Sequence, residues 1–202
     1  MRRSLPAGAL ALLIAVAAAP AALAQEAPTW SVLGGLGFTS LRGQGLDMDT
    51  KLGVVAGGAY VFGLGNDFSL EADGLFFIKG GKAPDPLGGH RDFVVLDYIE
   101  VPILARYDVP TGTTARPHFV FGPTLSYLVN GRYRAANGAA VSLSELQSLE
   151  SGLALGAGLD VDLGDRKLIF ETRLDLGLTD AFRPGGRGAQ NTAFALLAGV
   201  GF

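Results

Sequence analysis

Phe68-Ser69-Leu70-Glu71-Ala72-Asp73-Gly74-Leu75-Phe76-Phe77-Ile78 places two carboxylates within an otherwise apolar segment. Read with a period of two, Phe68, Leu70, Ala72, Phe76 and Ile78 share one face, while Ser69, Glu71 and Asp73 share the other. Ionised acids side by side on a strand need a wet or ion-paired surrounding. The segment therefore reads as a β-strand standing between an apolar medium and a polar interior.

Seven further stretches repeat this pattern. Residues 30–38 set Trp30, Val32, Leu36 and Phe38 against Ser31, Gly35 and Gly37, and residues 51–62 turn Leu52, Val54, Ala56, Tyr60 and Phe62 outward. Residues 93–107 send out Ile99, Val101, Ile103 and Tyr107, with Glu100, Pro102, Leu104 and Arg106 on the other side. Residues 117–128 send out Phe119, Phe121, Leu125 and Tyr127, and turn His118, Thr124 and Ser126 in. Residues 152–163, 167–178 and 191–202 complete eight, with Glu171, Arg173 and Asp175 inward in the seventh and Phe194, Leu196, Ala198, Val200 and Phe202 outward in the last. Pro102 and Pro123 donate nothing to a ladder, so a bulge or a missing hydrogen bond is expected beside each.

Hydrophobic residues make up 49% of the chain, with 30 glycines, yet no run after the leader approaches the eighteen or so apolar residues of a spanning helix. Strands of about ten residues resolve that conflict, because each crosses a bilayer by alternation alone. The fold class read here is all-β, an eight-stranded antiparallel up-and-down transmembrane β-barrel. The connections alternate in length as such a barrel requires: 63–67, 108–116 and 164–166 are short, whereas 39–50, 79–92, 129–151 and 179–190 are long. Ser142 as N-cap and Glu145 at the capping-box position predict a short helix over 142–150.

At the amino terminus Arg2 and Arg3 precede an apolar run from Leu10 to Ala19, and Ala22-Leu23-Ala24 follows before Gln25. This reads as a signal peptide over 1–24 with a cleavage site of the A-x-A kind, leaving a barrel domain over 25–202. No cysteine is present to carry a lipid anchor, a disulfide or a thiolate metal site. The mature chain keeps 16 − 2 = 14 basic residues against 19 acidic ones, an excess of negative charge that argues against a nucleic-acid partner.

An eight-stranded barrel has an interior that side chains fill, so no wide pore is expected. The inward set holds Glu71, Asp73, Glu100, Asp160, Asp162, Glu171 and Asp175 against Arg106 and Arg173, with Lys51 near one end. A lumen network of ion pairs follows, drawn from Glu71, Asp73, Glu100, Arg106, Glu171, Arg173 and Asp175, with Glu100, Arg106, Glu171 and Arg173 at its centre. The acidic excess has a second reading, as a narrow cation path or a cation site. Trp30, Phe62, Phe68, Tyr107, Phe119 and Phe202 fall at the short-turn strand ends and form the periplasmic aromatic girdle. Phe38, Phe76, Phe93, Tyr127 and Phe182 form the outer one. Lys79, Lys82, Arg132, Arg134, Arg183 and Arg187 fall at loop bases or in loops, where anionic lipid head groups would meet them.

Catalysis has little to work with. The two histidines, His90 and His118, lie far apart in the chain, His118 and Ser126 sit at opposite ends of one strand, and no G-x-S-x-G elbow occurs. No enzyme activity, metal site or cofactor is expected from this set. The pairs Gly34-Gly35 and Gly57-Gly58 open no helix and so make no nucleotide loop. A soluble periplasmic barrel of lipocalin type, with polarity reversed around an apolar ligand, stays open on alternation alone.

Tyr98-Ile99-Glu100-Val101-Pro102-Ile103-Leu104-Ala105-Arg106-Tyr107, Phe119-Val120-Phe121-Gly122-Pro123, Gly156-Ala157-Gly158 and the terminal Phe202 resemble the small outer-membrane proteins with a PorT-like barrel domain. The resemblance spans the whole mature chain. It implies residence in the outer membrane of a Gram-negative bacterium, contact with outer-membrane lipid, and recognition by the barrel-assembly machinery through the C-terminal strand, with Phe202 as the assembly signal. It leaves activity open, and the loop over 129–151 is the expected place for an extracellular or envelope protein partner.

Overall fold

In the computed structural model the described residues are 29–43, 46–82, 92–135, 139–142, 146–181 and 189–202. The leader over 1–24, His90, Phe182, Arg183 and Arg187 lie outside them. The strands are β1 (Thr29–Gly43), β2 (Leu46–Asp47), β3 (Lys51–Gly65), β4 (Phe68–Lys82), β5 (Phe93–Asp108), β6 (Ala115–Arg134), β7 (Ala140–Ser142), β8 (Leu149–Asp162), β9 (Lys167–Gly177) and β10 (Ala189–Gly201). Eight long strands pair antiparallel in the order β1-β3-β4-β5-β6-β8-β9-β10, and β10 returns to β1 from Ser31↔Gly201 to Gly43↔Ala189. This closes a barrel and leaves no long edge unpaired. Phe202 extends the seam by donating its backbone N–H to Trp30 O at 2.9 Å.

At the turn end, where Thr29 and Phe202 both lie, β3 meets β4 through a bulge at Gly63/Gly65 and a turn with Asn66 at φ 53° and Asp67 at φ 64°. Those left-handed values match the twist of paired strands, and Asn and Asp are the non-glycine residues that adopt them most readily. At the loop end the strands run past the expected bounds: β1 continues to Gly43, β4 to Lys82 and β6 to Arg134. The outermost part of the lumen there is apolar. Leu41, Val94, Leu96, Tyr98 and Leu128 pack with Met48, Leu146 and Ala181 into a plug-like core across that end of the lumen. Gly131 and Gly81 give it room, since a Cβ on them would come within 2.1 Å of Leu146 and 2.7 Å of Met48.

Among the described residues of 142–150 the expected helix is replaced by strand and irregular backbone. Ser142 ends β7, which pairs with the extension of β6 (Arg132↔Ser142, Arg134↔Ala140), and Leu149 and Glu150 already belong to β8. Two competing demands override the local capping signal: the unpaired edge of β6 takes up a strand, and Glu150 and Leu146 are drawn into the lumen. The prolines behave as one of the two expected outcomes. Pairing lapses between Ala72↔Ile103 and Leu75↔Glu100 beside Pro102, and between Pro102↔Thr124 and Ala105↔Phe121 beside Pro123, with the register unchanged across both gaps. A bulge stands instead in β6, where Val129 is left out between Asp97↔Asn130 and Tyr98↔Leu128.

Polarity decides between the two barrel types. Val32, Leu36, Leu52, Val54, Phe76, Ile99, Leu155, Phe170 and Leu196 are exposed on the outside, whereas Glu71, Asp73, Glu100, Asp160, Glu171, Arg173 and Asp175 are buried inside. A soluble ligand-binding barrel needs the opposite arrangement. Among the described residues no helix is long and apolar enough to cross a membrane, so the apolar belt belongs to strands.

Candidate functional site

The lumen is built by parity: every second residue of each long strand points inward, and its chemistry changes along the barrel axis. Nearest the turn end is a continuous ion-pair network. Arg173 on β9 reaches Glu171 at 2.6 Å and Glu71 at 3.1 Å and also pairs with Asp73. Glu71 passes the network to Arg106 on β5 at 3.1 Å, and Arg106 reaches Asp160 at 2.6 Å and Asp108 at 2.7 Å. Lys167 closes on Asp160 at 3.1 Å. His118, fully buried, lies 3.3 Å from both Asp160 and Glu171. Gly158 makes this possible, because a Cβ there would come within 2.4 Å of the His118 ring.

Above it is a second cluster. Lys79 pairs with Glu100, and Ser126 donates to the same carboxylate at 2.8 Å. The Lys79 ammonium stands 4.8 Å from the centre of the Phe77 ring and 5.9 Å from that of Tyr98, so two aromatic faces complete its surroundings. Tyr98 donates to Glu150, and Asn191 donates to Glu150 at 2.8 Å and to Tyr98 Oη at 3.2 Å. Asp175 borders this level, lining a small cavity with Lys79, Glu150 and Asn191. The apolar plug sits above. Cavities within the lumen are about 100 Å³ at the turn end and about 10 Å³ beside Lys79.

The structure thus brings Glu71, Asp73, Arg106, Glu171 and Arg173 into one network and places Glu100 in the second, on Lys79 rather than on an arginine. Lys79 is a correction to the sequence reading: expected at a loop base facing head groups, it is 5% exposed inside the barrel. It shares the parity of Glu71 and Asp73, a signal that extending the alternation past Ile78 would reveal. Asp108, Glu150 and Asn191 are further members that the sequence reading does not single out. Glu150 is hidden by the helix-capping signal, and Asn191 and Asp108 fall at strand and turn ends. Asp162 pairs with Arg116 at 3.1 Å, both about two-fifths exposed at the turn-end rim.

The aromatics at the turn end stand on neighbouring strands. Trp30 stacks on Phe202 with ring centres 4.8 Å apart, Phe68 and Tyr107 are 4.9 Å apart, and Tyr107 is in register with Phe119. Phe62 meets Tyr60 edge to face at 4.5 Å. Toward the loop end Phe38 and Phe194 lie 6.5 Å apart. On the outer surface there, Lys82, Phe93 and Arg134 are direct register partners on β4, β5 and β6, and they line a surface pocket with Lys51, Leu52 and Val95.

Among solved structures, the chain is similar to neisserial surface protein A, at 15% identity with a TM-score of 0.55, covering 87% of this chain and 98% of that one. It is similar to the outer membrane protein OprG of Pseudomonas aeruginosa, at 13% identity and a TM-score of 0.53 over 89% and 97% of the two chains. A major outer membrane protein of Thermus thermophilus matches at 14% identity and a TM-score of 0.50 over 88% and 99%. At these identities the likeness is one of fold. Comparison with the curated protein sequences finds no match. The outer membrane protein beta-barrel domain matches residues 24–183, most of the barrel. The chain belongs to this family of outer-membrane β-barrels.

Proposed function

We propose that this protein is a surface-facing barrel of a Gram-negative outer membrane, exported by a cleaved leader, whose task lies at its loop end and not in conduction or catalysis. The observation that supports this reading is the filled lumen: an ion-pair network, a second polar cluster and an apolar plug succeed one another along the axis. With the turn end in the periplasm, the β6–β7 hairpin projects outside. It carries the exposed Val141 within the stretch 129–151, and it is the surface offered to an extracellular or envelope protein partner. The PorT-like resemblance makes a secretion or envelope complex the finer assignment. The row Lys82, Phe93 and Arg134 supports contact with anionic outer-leaflet lipid, cations above and apolar surface below.

Planar-bilayer recording tests the sealed lumen: the folded protein should insert without discrete conductance steps. A narrow cation path is the second reading, motivated by the excess of lumen carboxylates, and reproducible cation-selective steps would replace the first reading with it.

Phe202 is assigned to recognition by the assembly machinery, on its exposed ring stacked on Trp30 at the seam between β10 and β1. Its deletion should lower recovery in the outer membrane several-fold, while protein refolded in detergent still shows a heat-dependent mobility shift. Equal recovery of the two forms would remove that role.

A further inference from the structure

Two buried polar atoms at the turn end of the lumen face one another without a hydrogen-bond partner: His118 Nδ1 and Asp160 Oδ1. Their residues are 0% and 1% exposed, and the two atoms are 3.3 Å apart. Leaving both unmatched away from water is unfavourable.

The opposite side of each group is held. His118 Nε2 lies 3.3 Å from Glu171 Oε2, while Asp160 Oδ2 accepts from Arg106 at 2.6 Å and meets Lys167 at 3.1 Å. An imidazole backed by a carboxylate, with its other nitrogen free, is the arrangement that orients a metal-bound histidine. Ligand bonds of about 2.0–2.1 Å at a tetrahedral angle separate two donor atoms by about 3.3–3.4 Å, the separation seen here. Asp108 supplies a third donor, and ligand atoms of Asp108, His118 and Asp160 all lie within 4.8 Å of one another. That limit exceeds the roughly 4.2 Å that two such bonds can span. Asp108, the most exposed of the three, would close the difference by turning one oxygen away from Arg106, which donates to both of them.

Charge points the same way. Among the described residues the network linked by these ion pairs holds five carboxylates, Glu71, Asp73, Asp108, Asp160 and Glu171, against Arg106, Arg173 and Lys167. With His118 neutral, as a metal ligand must be, five acids against three cations leave an excess of two negative charges in a largely buried cluster, the charge that one divalent ion neutralises. The two carboxylates are reached from the barrel mouth: the cavity of about 100 Å³ that Asp108 and Asp160 line with Arg106 and Lys167 extends to Thr29, Ser69 and Arg116, with room for a water as the remaining ligand, and His118 lies behind Asp160.

We propose that His118 Nδ1, Asp160 Oδ1 and a carboxylate oxygen of Asp108 bind a divalent transition-metal ion of the zinc class, completing the charge of the lumen network from the turn end. Neutral imidazole and carboxylate donors suit such an ion.

The test uses the folded, untagged protein in detergent, stripped with chelator. It is titrated with Zn²⁺ by calorimetry and with Co²⁺ by visible absorption. One ion per chain is expected, with a Co²⁺ spectrum of low coordination number. Asp108→Asn, which leaves the buried histidine in place, should weaken binding at least tenfold, and His118→Gln should abolish it. His90→Asn should change nothing. Retention of the heat-dependent mobility shift certifies the fold of each variant, and if His118→Gln fails that check, Asp108→Asn decides. Absence of saturable binding by the folded chain overturns the proposal, as does binding that Asp108→Asn leaves intact.

Discussion

Replacing Arg173 by leucine should lower the temperature at which the folded species converts to the unfolded one by on the order of 10 °C, while the variant still inserts into membranes. Arg173 is 1% exposed and serves Glu71, Asp73 and Glu171 at once. Its loss strands Asp73 and leaves Glu71 to Arg106 and Glu171 to His118. Breaking a buried pair by removing one partner costs about 3–5 kcal/mol, chiefly from the charge left behind. Adding Asp73→Asn to Arg173→Leu should recover much of the loss, because the neutral amide no longer demands a counter-charge. Gel electrophoresis of samples heated in steps reads both effects. An unchanged conversion temperature for the single variant would remove the network from the account of stability.

A second large effect is expected from Lys79→Met. Methionine fills a similar volume between Phe77 and Tyr98 but leaves Glu100, fully buried, with Ser126 as its remaining hydrogen-bond partner among the described residues. The cost should again be about 3–5 kcal/mol, and Glu100→Gln in the same chain should offset most of it. Lys79 and Glu100 pair with each other, whereas Arg173 pairs with Glu71, Asp73 and Glu171, so the two substitutions break different ion pairs. The losses from Arg173→Leu and Lys79→Met should therefore nearly add. A double variant no worse than the poorer single one would mean that the lumen charges act as one unit.

Much of this architecture is legible in the chain, for a local reason. A strand between lipid and a polar interior must alternate, so Phe68 to Ile78 reveals its own two faces without reference to any neighbour. The eight long strands and the placing of Glu71, Glu100, Arg106, His118 and Arg173 on the polar face of theirs follow from parity alone. The girdle aromatics are legible too, since their places depend only on where each strand begins or ends.

The departures lie at the loop end, where local signals compete with packing. The 142–150 segment carries helix-capping residues, yet β6 captures 140–142 as a strand and the lumen captures Leu146 and Glu150. Lys79 reads as a loop-base cation when the strand is ended at Ile78. Its burial depends on Glu100 from another strand and on two aromatic rings, which no reading of one segment can supply.

Alternation in the sequence determined that this protein is built of eight two-faced strands, one face apolar and the other polar or small, because pleating makes the separation of faces a property of each strand by itself; which face turns inward was decided by the closed barrel. Only the tertiary structure decided which charges meet. Register and barrel closure bring Arg173 to Glu71 and Asp73 across about a hundred residues of chain, divide the lumen into two polar levels below an apolar plug, and set His118 against Asp160. Those pairings depend on the stagger between strands and on the space left by residues such as Gly158, quantities that exist once the barrel has closed.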